Sequence, residues 1–187
     1  MDLYRMFVRP EGRDGEYAAS LMEENGGPMA RQAVGRLDLS SSDHVIEIGF
    51  GPGVGIETLL RAVPAGHVAG VDHSPLMHRR AANRNADAIA DGRVTLIEGS
   101  VQNLPFADNS FDAGLAIDNL HFWPDRLAGL KELRRVLKPG ALFVCAFTPV
   151  SGGSGHGLVS LFEKTDFGSI SVEEGPAGFS ISGCVLK

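Results

Sequence analysis

The chain has 187 residues, of which 43% are hydrophobic and 21% are charged, and this predicts one globular domain with a sizeable core. Its formal net charge of −6 disfavours a nucleic-acid partner, because binding to phosphates needs a broad cationic surface. No stretch approaches the roughly 18 consecutive apolar residues of a membrane-spanning helix, so we expect no membrane span.

The first 40 residues carry no strand pattern. Charges at Asp2 and Arg5 interrupt the first apolar stretch, which argues against a secretory signal. We expect residues 1–40 to form short helices that cap the top of a sheet. This cap is the first of three parts of one domain, followed by a cofactor-binding core at 41–150 and a C-terminal helix and strand hairpin at 151–187.

Five short apolar runs alternate with helical patterns from about residue 44 onward. Each run is four to seven residues long, nearly continuous in apolar character, and bounded by Gly, Pro, Asp or Ser. Such runs are typical of strands that are buried on both faces of a parallel sheet. The runs lie at 45–48, 67–71, 94–98, 113–117 and 141–147.

The segments between these runs have the signals of helices. Ser74 followed by proline predicts a helix start, with serine as the N-cap and proline in the first turn. A helix is predicted over 54–62, and another over 124–138, where the leucines from Leu127 to Leu137 form one stripe before a Pro-Gly stop. Repeated β-α units of this kind specify a doubly wound α/β fold with right-handed connections.

The alternation of apolar runs and helical patterns ends after the fifth run. A flexible SGGSGHG stretch at 151–157 leads to an amphipathic segment, LVSLFEKTDF, that we interpret as a helix. Two strand patterns follow, at 169–174 and 179–187, and the Gly-Pro-Ala-Gly between them predicts an antiparallel hairpin. The predicted fold is therefore Rossmann-like: a doubly wound, mostly parallel, seven-stranded sheet with an antiparallel C-terminal hairpin.

The chain has two cysteines, Cys145 and Cys184. Both fall in apolar, strand-like runs, and their spacing does not match that of metal ligands. We interpret them as buried free thiols, expect no metal, and predict a cytoplasmic location.

A glycine-rich turn, EIGFGPGVG, ends the first predicted strand. Gly49, Gly51 and Gly53 let the backbone turn sharply and approach a ligand closely, where a Cβ would obstruct it. The helix that follows offers unpaired amide groups and a positive dipole end. Because ligands of open α/β sheets bind at the carboxyl ends of the strands, this turn predicts a ligand site.

The second predicted strand ends at Asp72. An acid there can accept hydrogen bonds from both ribose hydroxyls, which indicates a nucleoside ligand; the alternative is that it caps the next helix. A dinucleotide fingerprint, G-x-G-x-x-G, would need glycine where Val54 stands, and a P-loop would need a Gly-Lys-Ser/Thr ending that is absent. The site therefore suits an adenosine without a pyrophosphate.

Four motifs follow one another in the order found in class I S-adenosylmethionine-dependent methyltransferases, which the chain resembles over about residues 40–150. They are VIEIGFGPGVG, GVDHSPLM, LIEGSVQNLPFADNSFDAGLAID and ELRRVLKPGALFV. The LPFADNSFD and LKPG segments are most similar to the ubiquinone/menaquinone-type, small-molecule branch. The resemblance implies S-adenosyl-L-methionine as cofactor, S-adenosyl-L-homocysteine as product, and a small-molecule acceptor.

The resemblance also implies roles for individual residues. Glu47 orients the glycine turn and reaches the methionine amine through water, the glycines line the methionine and ribose, and Asp72 holds the ribose. Ser100 stands where the family usually has an acid for the adenine amino group, so weaker adenine contacts are expected. The remaining residues expected to contact the cofactor are Phe50, His73, Met77, Val101, Asp118 and Asn119.

Two side chains just after the fourth strand are candidate bases for a hydroxyl acceptor, Asp118 and His121. His121 has a second interpretation as a packed or helix-capping residue, and Phe50 has one as a core side chain rather than a wall beside the methyl group.

Two further function classes stay open: a weak or inactive cofactor-binding module with this fold, and an NAD-linked oxidoreductase, which Val54 disfavours. Nucleic-acid amino-group methylation is disfavoured because an Asn-Pro-Pro-Tyr-like segment is absent.

Overall fold

A seven-stranded sheet organises the part of the chain that the computed structural model describes, Val8 and residues 10–186. The strands are β1 (His44–Ile48), β2 (His67–Asp72), β3 (Val94–Glu98), β4 (Phe111–Ile117), β5 (Leu137–Phe147), β6 (Phe167–Gly175) and β7 (Gly178–Val185). Their order is β3-β2-β1-β4-β5-β7-β6. The first five strands are parallel, and β7 runs antiparallel to β5 and β6, so the predicted fold is confirmed.

The connections between strands are mainly helical. The helices are α1 (Gly12–Val34), α2 (Val54–Ala62), α3 (Pro75–Arg84), α4 (Ala86–Ala90), α5 (Arg126–Val136) and α6 (Leu158–Glu163), with a 3-10 turn at Leu120–Phe122. Ser74 caps α3 as predicted, because its side chain accepts a hydrogen bond from the Met77 amide. No helix in the described ranges is long and apolar enough to cross a membrane.

The sheet separates two apolar clusters, and successive residues of β1 belong to different ones. Val45 packs with Leu59 of α2 and the last turns of α1, whereas Ile46 packs with Leu133 of α5 and with α6. All these side chains are fully buried or nearly so, and each contributes about 1.5–3 kcal/mol by leaving water. Burial on both faces explains why the strands read as continuous apolar runs.

Two predicted helices differ from those observed. The helix predicted over 124–138 ends at Val136, because Leu137 is extended and pairs with Phe111 of β4 at the start of β5. Leu127, expected on the apolar stripe, is 36% exposed. A register shift in β4 then accommodates the Lys-Pro-Gly segment, whose proline lacks an N–H for the ladder.

The predicted short helices of the first 40 residues are instead one 23-residue helix, α1, over the described part. Its Gly-Gly-Pro segment would break a free helix, but residues on both sides are buried, among them Ala18, Ala19, Met29 and Ala33. Packing on both sides of this segment therefore keeps the helix continuous. Residues 1–7 and 9 lie outside the described residues, and the division of the domain into three parts stays a prediction.

Candidate cofactor-binding site

The candidate residues gather where β1 and β4 lie side by side at the middle of the sheet. The chain leaves β1 toward β2 on one side, while β4 continues toward β5 on the other. This change of direction opens a crevice at the carboxyl ends of the strands, the place where ligands of such sheets bind. The glycine turn, Asp72 and the Asp118–Trp123 segment all follow strands that end at this edge.

Three glycines of the turn adopt backbone conformations that favour glycine. Gly49, Gly51 and Gly53 have φ angles of +66°, +53° and +87°. The Gly49 amide donates to the carbonyl oxygen of Val71 at 2.7 Å, which fixes the turn to the end of β2. A Cβ on Gly49 would lie 2.6 Å from Nδ2 of Asn119, so the turn and the β4 end are in direct contact.

Asp72 fastens the same turn from the other side. Its carboxylate is 7% exposed; Oδ2 accepts from the Gly51 amide and Oδ1 from the Ser74 amide, both at 2.9 Å. Burial raises its pKa although these backbone bonds oppose the shift. Ser74, not Asp72, caps α3, and each Asp72 oxygen keeps a lone pair that can accept from a further donor.

Glu47 lies beneath the turn with an unsatisfied carboxyl group. The residue is 2% exposed, and its Oε2 has no hydrogen-bond partner among the described residues. Burial, and next the nearby charge of Asp72, raise its pKa well above 4.5. The absent side chain of Gly55 makes room for Oε1 in the first turn of α2. A buried acceptor without a donor indicates a site that a cationic or hydrogen-bonding ligand completes.

Replacing Glu47 with glutamine should make stability less dependent on pH. The folded-state pKa of Glu47 lies above the ordinary 4.5, so the unfolded chain gives up this proton more readily than the folded one. The free energy of unfolding of the wild type therefore falls as pH rises above 4.5. The variant cannot ionise there, so its free energy of unfolding should rise relative to wild type between pH 5 and pH 8. Urea unfolding without cofactor at both pH values measures this, with exposed Glu174→Gln as the charge-loss control. An unchanged difference at the two pH values would contradict it.

The end of β4 is held by internal hydrogen bonds. Asp118 has a φ of +55°, and its two carboxylate oxygens accept from the amide and the hydroxyl of Thr148, both at 2.7 Å. Asn119 donates from Nδ2 to the carbonyl oxygens of Ile48 and Ile117 and accepts from Trp123 at Oδ1. Both side chains therefore bind protein groups at the crevice floor, an arrangement that favours positioning over direct chemistry.

His121 follows within the 3-10 turn and has one free ring nitrogen. Its Nε2 lies 2.9 Å from the Ser151 carbonyl oxygen, so Nε2 carries the hydrogen and Nδ1 is an acceptor. Nδ1 is buried and has no partner within the described ranges. The ring centroid lies 3.8 Å from that of Phe122 and 5.7 Å from that of Phe147. Burial lowers its pKa below 6.5, which keeps the imidazole neutral at pH 7.

The residues expected around the adenosine are divided between core and surface. Phe50, Met77 and Val101 are all buried at 6% exposure or less, and Phe50 packs where Gly70 of β2 leaves room. Their side chains thus belong to the core, which leaves their backbone for any contact with a ligand. Ser100 and His73 are exposed; the Ser100 hydroxyl accepts from the Gln102 amide, and the His73 ring contacts the Val8 carbonyl.

Helix α1 lies over the glycine turn and is joined to α3 by ion pairs. A Cβ on Gly51 would lie 3.7 Å from the Met22 sulfur, and among the described residues, its chain neighbours aside, no other atom comes within 4 Å of it. The Arg80 guanidinium pairs with Glu16 at 2.5 Å and with Glu23 at 3.3 Å. The positive charge of Arg80 on α3 is therefore neutralised by acids of α1.

Sequence reasoning missed several partners at this site. Thr148 and Ser151 come after β5, and no local pattern links them to the β4 end. Gly55 had a signal, since it extends the alternation of glycines in the turn by one more step. Among the described residues there is no group of three His, Cys, Asp or Glu that could hold a metal.

Comparisons with known proteins agree on one family. The methyltransferase domain family matches residues 46–145. An uncharacterized methyltransferase of Bacillus subtilis, YdaC, is 25% identical over 164 residues, covering 83% of this chain and 88% of that protein. A demethylmenaquinone methyltransferase of Lactiplantibacillus plantarum is 36% identical over 122 residues, covering 63% of this chain and 50% of that protein. The chain thus spans about half the length of that second relative.

Solved structures share the fold. The crystal structure of a putative S-adenosyl-L-methionine-dependent methyltransferase from Methanococcus maripaludis superposes with a TM-score of 0.80 at 19% identity. The match covers 94% of this chain and 93% of that one.

Proposed function

The chain belongs to the class I S-adenosylmethionine-dependent methyltransferases, and we propose that it transfers the methyl group to a small-molecule acceptor. One observation carries the proposal: the crevice between β1 and β4 holds a glycine turn fixed by Asp72 above a buried, unsatisfied Glu47 carboxyl. The net charge of −6 further favours a small acceptor over nucleic acid. Cys145 is buried as expected, whereas Cys184 is only partly buried; both are free thiols, which supports a reducing, cytoplasmic location.

The acidic side chains and the open glycine backbone of the crevice fit this cofactor. S-adenosylmethionine supplies a methyl group on positively charged sulfur and carries an ammonium group as well. Glu47 and Asp72 place two acids next to the turn, and the free lone pairs of Asp72 suit ribose hydroxyls. Gly51 presents an open backbone that a side chain would fill. We propose that these three residues form the centre of the cofactor site.

The protein's main contribution to the reaction is alignment. A site that holds an acceptor in line with a reactive methyl group can supply on the order of 7–11 kcal/mol of the barrier by positioning alone. Thr148 and Asp118 lock the ends of β5 and β4 together, which keeps the acceptor side of the crevice rigid. A base is needed only where the acceptor loses a proton as it reacts.

We propose that His121 is that base when the acceptor is a hydroxyl. The Ser151 carbonyl oxygen accepts a hydrogen bond from Nε2–H, so the proton of the neutral ring stays on Nε2. Nδ1 therefore keeps a lone pair that can take the proton of the substrate hydroxyl. The lowered pKa keeps this nitrogen unprotonated at neutral pH. Asp118 remains the second candidate, although each of its oxygens already accepts a hydrogen bond from Thr148.

Replacing His121 with glutamine should lower kcat by about 10²–10⁴-fold for a hydroxyl acceptor and leave cofactor affinity unchanged, because the amide cannot take a proton. Because the pKa of His121 is lowered, wild-type kcat should stay level at neutral pH and fall only at a more acidic pH than for an ordinary histidine, as the imidazole becomes protonated. Steady-state rates of both proteins from pH 5 to 9 measure this. A variant with wild-type kcat would show that the reaction uses no base at this position.

Turnover tests the proposed function itself. Purified protein should form S-adenosylhomocysteine, detected by mass spectrometry, only when a suitable acceptor is added from a panel of small phenols, alcohols, amines, thiols and carbon acids. The acceptor should gain 14 mass units, the mass of one added CH₂. Protein that binds the cofactor but turns over no acceptor would instead support a regulatory binding module.

A further inference from the structure

The chain has a single tryptophan, and it lies beside the proposed cofactor site. Trp123 is 9% exposed, and its Nε1 donates to Oδ1 of Asn119 at 2.9 Å. The indole ring lies against Gly129 of α5, where a Cβ would come within 2.7 Å of the ring, and Gly129 also faces Val101. Packing against Gly129 therefore fixes the ring, and its N–H points at Oδ1 of Asn119.

That hydrogen bond sets which way the Asn119 amide faces. An indole N–H can only donate, so it selects the amide oxygen and turns the NH₂ group to the opposite side. There Nδ2 donates to the carbonyl oxygens of Ile48 at 2.7 Å and Ile117 at 2.8 Å. A reversed amide would place its oxygen against two carbonyl oxygens and its NH₂ against the indole N–H.

The two carbonyls are the last of β1 and β4, so the Asn119 amide ties these strands together where the glycine turn begins. Gly49 lies directly against it, since a Cβ there would be 2.6 Å from Nδ2 and 2.7 Å from Cγ. Any rotation of the amide would therefore move the first residue of the turn. Both N–H donors of the Asn119 side chain are already bonded to these carbonyls, and its Oδ1 accepts from the indole, which leaves only the second lone pair of Oδ1 for a further donor.

We propose that Trp123 is a positioning residue for the cofactor site, and that it acts on the glycine turn through Asn119. The inference rests on the proposed function, because it assumes that the turn binds S-adenosylmethionine. Trp123 does not contact the cofactor in this proposal; it holds the amide that holds Gly49. A tryptophan that served only to fill the core would affect stability and leave cofactor affinity unchanged.

The first test replaces Trp123 with phenylalanine, which keeps an aromatic ring and removes the N–H. We expect the dissociation constant for S-adenosylhomocysteine, measured by calorimetry, to rise about tenfold, the size of one lost hydrogen bond. The control is Thr165→Val, which removes a buried hydroxyl bonded to the Leu161 and Phe162 carbonyls, away from the crevice. It should lower the unfolding temperature and leave the dissociation constant unchanged.

A closer isostere separates the hydrogen bond from the packing. Because the chain has one tryptophan, expression in a tryptophan auxotroph with 3-benzothienylalanine replaces this N–H with sulfur and keeps the ring size. This protein should show the same rise in dissociation constant as the phenylalanine variant. In the unmodified protein, the single indole ¹H–¹⁵N resonance should shift when S-adenosylhomocysteine is added.

The outcomes distinguish this inference from the function on which it rests. Wild-type affinity in the benzothienyl protein, with normal binding by the unmodified protein, would overturn the role of Trp123 alone. Absence of saturable binding by the unmodified protein would contradict the proposed function, and the inference with it.

Discussion

Replacing Gly49 with alanine should raise the dissociation constant for S-adenosylhomocysteine by about 100-fold or more. An alanine at a φ of +66° is strained by about 1–2 kcal/mol. Its Cβ would also lie 2.6 Å from Nδ2 of Asn119, which cannot retreat because it is bonded to the Ile48 carbonyl. The turn has to move, and each 1.4 kcal/mol lost from binding is tenfold in affinity. Calorimetric titration of the folded variant measures the effect.

The control for this substitution is Gly92→Ala. Gly92 has a φ of +71°, so alanine is strained there by a similar amount, but beyond its chain neighbours no atom of the described part of the chain lies within 4 Å of the added Cβ. It precedes the amino end of β3, whereas the crevice lies at the carboxyl ends of the strands. The control should lose some stability and keep wild-type affinity. A Gly49 variant that binds as tightly as this control would show that the turn does not hold the cofactor.

Replacing Asp72 with asparagine should raise the same dissociation constant about 10–100-fold. The carboxylate accepts from the Gly51 and Ser74 amides with different oxygens, whereas an asparagine must turn its NH₂ group toward one of these donors. Loss of a hydrogen bond to a charged acceptor is worth about 1.5–3 kcal/mol, and the acceptor for the ribose hydroxyls is weakened at the same time. Calorimetry and the change in unfolding temperature on adding cofactor both measure this.

Asp112→Asn is the matched control. Asp112 also accepts from a backbone amide, that of His44 at 2.9 Å, and it pairs with Lys138, but it lies at the amino end of β4, away from the crevice. The same chemical change there should reduce stability without changing cofactor affinity. Equal losses of affinity in the two variants would mean that Asp72 acts through general stability alone.

The sequence was sufficient for the fold because its strongest signals are local. Continuous apolar runs placed β1 to β5 to within a few residues, and Ser74 was correctly predicted as a cap. The errors came from tertiary contacts. Leu137 fits the helical stripe of α5 yet pairs with Phe111 in the sheet, and packing on both sides of Pro28 keeps α1 continuous.

The site was predictable in outline but not in its bonding. The resemblance located Asp118, Asn119 and His121 after β4, while their partners come from elsewhere in the chain: Thr148 and Ser151 follow β5. Aspartate adopts a positive φ more often than most residues, but the residue type alone does not show which aspartate does so, and Asp118 could not be singled out. The roles expected for these residues toward the cofactor and acceptor stay predictions.

Calorimetric titration of the purified wild-type chain with S-adenosylhomocysteine tests the central claim most directly, because it needs no knowledge of the acceptor. We predict saturable binding at one site per chain, and displacement of the bound product by S-adenosylmethionine. Titrations that give no saturable heat at any of several temperatures would contradict the assignment of the β1–β4 crevice as a cofactor site.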